Sequence, residues 1–79
     1  MVKDLVEYIA RSLVDDPGEV VVSQYGGGAN SNLKLQVAKQ DMGRVIGRHG
    51  RVANAIRILL KVAAARENKR ANLDIVEPE

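Results

Sequence analysis

Apolar residues fall at Val2, Leu5, Val6, Ile9 and Leu13, the i, i+3, i+4 spacing of one helical face, with Lys3, Asp4, Glu7 and Arg11 opposite. That spacing predicts an amphipathic helix over 2–14. Asp15-Asp16-Pro17-Gly18 ends it, because Pro17 cannot continue a helix and Asp and Gly favour a turn. The β-branched run 19–25 reads as a strand, and 26–32, opening on three glycines, as a flexible loop. Leu33, Leu35 and Val37 alternate with Lys34 and Gln36, which predicts a second strand over 33–38 with one buried face. Asp41 is placed to cap a one-turn helix over 42–46. Val52, Ile56, Leu59 and Ala63, widened by Ala53 and Leu60, then form the apolar stripe of an alanine-rich helix over 51–66. Ala71, Leu73 and Ile75 alternate with Asn72 and Asp74 in a last strand, 70–76. The order is α-β-β-α-α-β, an α+β domain over 1–79 with no internal repeat.

The chain has 79 residues, 46% apolar and 28% charged, enough for a small core and too apolar for a disordered segment. With no cysteine and a single histidine, His49, it offers neither a disulfide framework nor a metal-ligand cluster, so no metal or cofactor is expected. Asp4, Glu7 and Arg11 interrupt the N-terminal apolar pattern, and no apolar run reaches the length of a membrane span. The expectation is a cytoplasmic protein without membrane contact.

The net charge of +2 conceals a segregation. Residues 1–43 carry −2, and 71–79 carry −3. Between them, Arg44, Arg48, Arg51, Arg57, Lys61, Arg66, Lys69 and Arg70 face Glu67 alone, giving +7 over 44–70. A polyanion-binding region has this pattern, and so does a solvated basic helix face.

Gly47-Arg48-His49-Gly50 lies at the centre of the basic segment, between the short and the long helix. As a plain helix-helix turn it explains Gly47 as a left-handed C-cap and leaves Gly50 without a role. The spacing of Gly43, Gly47 and Gly50 fits neither a P-loop nor a dinucleotide-binding motif. A DNA-reading helix-turn-helix would need a polar second helix; this one commits Val52, Ile56, Leu59 and Leu60 to burial, although Asn54, Arg57 and Lys61 stay exposed. A clamp for single-stranded nucleic acid uses both glycines, since neither has a side chain to keep a sugar-phosphate backbone away. The free amides at the start of the long helix would face the phosphate.

The stretch Val45-Ile46-Gly47-Arg48-His49-Gly50-Arg51 resembles the Ile-Gly-x-x-Gly core of the KH domain. The element order is similar to its type II arrangement, a three-stranded mixed sheet packed against helices, and the whole chain resembles the small bacterial single-KH proteins of the KhpA family. The resemblance implies single-stranded RNA binding, as an RNA chaperone or post-transcriptional regulator, and pairing as a homodimer or with another KH-domain protein. It places the phosphate-contacting loop on Gly47, Arg48, His49 and Gly50, puts Val45 and Ile46 in the groove floor, and makes 26–32 the variable loop. Ala53 stands where the family often has a branched aliphatic, which would make the groove shallower. Arg44, Arg51 and Arg57 would supply charge around it, and the last strand near 73–75 its other wall.

Catalysis has little to work with, since His49 has no neighbouring Ser or Cys and Asp41 and Asp74 form no evident acid-base pair. Base stacking on aromatics is equally thin: Tyr8 and Tyr25 are the only candidates, and both read as packing residues. Binding would then rest on phosphate contacts plus van der Waals and hydrogen-bond contacts in a narrow groove, with micromolar affinity for one domain and marked salt dependence. The exposed side of the first helix and the edge of the last strand are candidate pairing surfaces. The rival from another class is a scaffold protein whose basic face docks an acidic partner.

Overall fold

Helix α1 (Val2–Leu13) turns Val2, Val6 and Ala10 into the core. The computed structural model describes residues 2–27 and 29–78; Met1, Gly28 and Glu79, the second of these within the glycine-rich stretch, lie outside it. A single turn of 3-10 helix at Pro17–Glu19 delays the first strand, so β1 spans Val21–Tyr25 rather than starting at residue 19. It pairs antiparallel with β2 (Asn30–Gln36), Val22 opposite Leu35. In turn β2 pairs parallel with β3 (Arg70–Val76), Leu33 opposite Leu73. Alternation along the strands puts Val22, Leu33, Leu35, Ala71 and Leu73 on the one face that α1 and α3 cover.

A parallel pair requires a crossover. Here it is α2 (Met42–Ile46), a tight turn at Arg48–Gly50, and α3 (Arg51–Ala65). The glycine loop therefore sits in the middle of the crossover, braced by a helix on each side.

Several expectations are corrected. Strand β2 begins at Asn30, because residues 30–32 pair with Arg70–Asn72; only a distant partner makes this loop-like sequence a strand. Val37 and Ala38 leave the strand yet stay buried. The buried stripe of α3 is Ala53, Ile56, Leu60 and Ala64, with Val52 and Ala63 at its margin, while Leu59 is 52% exposed. Tyr8 is 73% exposed and Tyr25 about half exposed, so neither is a packing residue. The phase of α3 is testable: Leu60→Ala should destabilise by about 3 kcal/mol through the cavity it leaves, and Leu59→Ala by less than about 0.5 kcal/mol. Urea melts of both variants in dilute solution decide it, and the reverse ranking would restore the stripe through Leu59.

Asp41 occupies the residue before α2, but its carboxylate does not cap that helix. It is fully buried, its Oδ1 accepting the Asp15 N–H and its Oδ2 the Asp16 N–H, both at 3.1 Å. The turn after α1 is thereby tied to the start of the crossover.

Candidate nucleic-acid interface

Helix α2 ends because Gly47 takes φ 76°, ψ 173°, a combination open essentially to glycine alone. Steric room demands glycine as well: a Cβ there would lie 2.5 Å from Val52 Cγ2 and 2.9 Å from the Val52 backbone nitrogen. Gly50 is different. Its φ of 75° and ψ of 14° are left-handed, but a Cβ would meet nothing within 4 Å. One glycine lets the loop close upon α3, and the other leaves bare backbone facing outward.

Between them His49 is also left-handed, φ 58°, a conformation in which histidine is enriched among non-glycine residues. The turn is closed by Gly50 N–H donating to the Gly47 carbonyl at 3.2 Å and by Arg51 N–H donating to that of Arg48. The amides of Arg48 and His49 make no backbone hydrogen bond among the described residues. Their side chains are exposed, and neither they nor Arg51 form an ion pair among the described residues. The loop thus offers open amides beside uncompensated cations, a setting suited to a phosphate.

Not every residue expected in the site faces it. Val45 is fully buried and Ala53 nearly so; each supports the groove from beneath and offers no surface to a base. Ile46 is partly exposed at the end of α2 and is the apolar residue a base can reach. Arg44 is engaged elsewhere: its Nη2 lies 2.9 Å from Asp15 Oδ2 and its Nε 3.6 Å from Asp41 Oδ1, so its charge is compensated within the fold. Arg57 crosses from α3 to the sheet, its Nε donating to the Leu73 carbonyl on β3 at 3.2 Å, and so spans the gap between the groove's two walls. Of the segment expected to be the variable loop, Ala29 and Asn30 lie farther off, against Ala65, Asn68, Lys69 and Arg70 at the opposite end of α3 from the glycine loop. Beyond Arg57, on the side away from the glycine loop, Lys61 and Asn72 also line the α3–β3 gap; their exposed spacing was the only sequence signal of it.

A Gly-x-x-Gly turn joining two helices, set as the crossover of a three-stranded mixed sheet, defines the KH domain. The family model for the KH domain of KhpA and KhpB matches residues 3–75. The chain belongs to that family. It is 53% identical over 74 residues to the RNA-binding protein KhpA of Clostridium acetobutylicum, covering 94% of this chain and 99% of the relative. It is 47% identical over 77 residues to the protein of the same name from Treponema pallidum, covering 98% of this chain and 96% of the relative. For that of Clostridium perfringens the identity is 49% over 74 residues, 94% and 99% of the two chains. No helix among the described residues is long and apolar enough to cross a membrane.

Proposed function

We propose that this chain is a non-enzymatic, cytoplasmic RNA-binding module that holds about four nucleotides of single-stranded RNA on the turn Gly47 to Gly50. The observation that carries the reading is the division of labour between the glycines: Gly47 is locked against Val52, while Gly50 faces open space. Backbone conformation favours glycine at both positions, but packing demands it only at Gly47; at Gly50 the missing side chain leaves the backbone uncovered. An open Gly50 beside free Arg48 and His49 amides lets a phosphate approach the backbone, with Arg48 and Arg51 supplying charge and Ile46 the apolar contact. The names of the relatives, RNA-binding proteins all, support the same ligand. Such a grip is generic enough for an RNA chaperone or post-transcriptional regulator.

The test is anisotropy of a labelled single-stranded RNA pool at two salt concentrations, comparing wild type with Arg48→Asp plus His49→Asp. The double variant, folded by circular dichroism, should bind at least about tenfold more weakly, because it places two anions where a phosphate must sit. Equal binding by both proteins would sink the clamp, and a wild type that binds no RNA would favour a scaffold with a basic docking face.

Pairing with a second KH domain is part of the reading. Ile58, Leu59 and Val62 stand exposed together on the outer side of α3, an apolar surface of the kind that marks an interface. Val62→Glu should convert a dimer into a monomer in sedimentation at micromolar concentration. A variant that keeps the dimeric mass would place the contact elsewhere.

A further inference from the structure

We propose that the RNA site continues past the glycine loop along α3 to the α3–β3 turn, where Lys61, Lys69 and Arg70 hold further phosphates. This rests on RNA binding at the loop and extends it to a longer strand. The ground is a run of three adjoining hollows between α3, β3 and the residue pair Ala29–Asn30. The first, about 400 Å³, lies between α3 and β3 and is lined by Arg57, Lys61, Asn72 and Asp74 among others. It shares Lys61 and Asn72 with the second, about 310 Å³, which reaches Lys69 and Arg70. That one shares Lys69 and Arg70 with the third, about 510 Å³, which ends against Asn30 and Asn68.

Helical geometry connects this channel to the loop. Asn54, Arg57, Lys61 and Ala65 recur at i+3 and i+4 and so form one line down α3, beginning next to Gly50. At 1.5 Å per residue the helix is about 22 Å long, a track that extends well beyond the turn itself. Charge follows the same line. Lys61, Lys69 and Arg70 form no ion pair among the described residues, and no carboxylate lines the second or third hollow. Asp74 lines only the first, at the end nearer the loop. Free cations along a continuous concavity that starts at Arg57, about two turns of α3 beyond the glycine loop, fit a polyphosphate chain. Cations near a helix C-terminus also favour its dipole, an explanation that predicts a change in stability and none in RNA binding.

The experiment compares wild type with Lys61→Gln plus Lys69→Gln plus Arg70→Gln by anisotropy, using a random tetranucleotide RNA pool and one about ten nucleotides long. Both proteins should bind the tetranucleotides alike. Wild type should gain markedly on the longer pool, while the variant keeps only the statistical gain from additional registers. On the longer pool the log–log salt slope of the variant should be shallower by about 2, since each phosphate left unneutralised removes roughly 0.7. Equal length dependence in both proteins would overturn the extension, as would an equal weakening on tetranucleotides, which would move the three cations into the loop site. Absence of RNA binding by wild type to either pool would instead remove the loop reading on which the extension stands. Should the triple variant unfold, Lys61→Gln plus Lys69→Gln spares β3 and is judged by the same comparison.

Discussion

Gly47→Ala should leave the domain barely folded, whereas Gly50→Ala should fold and melt only slightly early. The two glycines share a motif and a positive φ, but their surroundings separate them. At Gly47 an alanine must hold a φ/ψ pair that only glycine visits freely, which costs up to about 3 kcal/mol. Its Cβ must also displace Val52, whose backbone nitrogen is part of the first turn of α3 and cannot yield as a flexible side chain would. Together these reach about 4 kcal/mol or more, against a total of about 4–12 kcal/mol for a domain of this size. At Gly50 the left-handed conformation costs about 1–2 kcal/mol and nothing is struck. Chemical denaturation followed by circular dichroism measures both. Equal stability losses would mean that the loop closes differently from the geometry described. The same pair separates folding from binding: weakened RNA binding by folded Gly50→Ala is a statement about the ligand, which Gly47→Ala can never make.

Asp41→Ala should destabilise by about 3 kcal/mol, while Asp15→Ala should cost no more than about 1 kcal/mol, although both remove a carboxylate that faces Arg44. The buried carboxylate accepts two backbone N–H groups; its loss removes both acceptors from the turn after α1 and empties a fully buried side-chain position. Asp15 meets Arg44 where both side chains are more than half exposed, and a solvated pair of this kind contributes little. Asp41→Asn should fall between, since an amide keeps one acceptor oxygen and turns its NH2 toward the other donor. Thermal or urea melts of the three variants give the ranking. A cost for Asp15→Ala as large as that for Asp41→Ala would shift the weight to the ion pair. Loss of the tie frees the turn after α1 from the base of α2, so RNA affinity should fall in step with stability for Asp41→Ala.

Much of the fold was legible along the chain because its strands and helices carry clean periods. The 70–76 strand, with Ala71, Leu73 and Ile75 inward, and the one-turn helix 42–46 were predicted with the bounds observed. The phase of α3 was not, and the reason is its composition: Val52, Ala53, Ile56, Ile58, Leu59, Leu60 and Val62 leave apolar residues around most of the circumference. Two stripes then fit the same period, and only the sheet beneath selects Leu60 over Leu59. Residues 30–32 failed for a related reason, since Asn-Ser-Asn has low strand propensity and becomes a strand by pairing with β3. The motif carried the position of the candidate site, but Val45 and Ala53 became support rather than surface, and Arg44 was taken by two carboxylates. Neither tertiary burial nor the partner of a long side chain is written in local spacing.

The parallel pairing of β2 with β3 also sets the order in which this chain can acquire its structure. The β1–β2 hairpin closes through a short local connection, but the β2 edge that receives β3 waits for a partner 40 residues further on, Asn30 meeting Arg70. Loop-closure entropy must be overcome before that contact is rewarded. Forming α2, the glycine turn and α3 shortens the distance to be closed, so the Gly47 conformation belongs on the route to the folded state as well as in it. Substitutions at Gly47 should accordingly slow refolding in stopped-flow mixing, whereas those on the outer side of α3 should leave the folding rate unchanged.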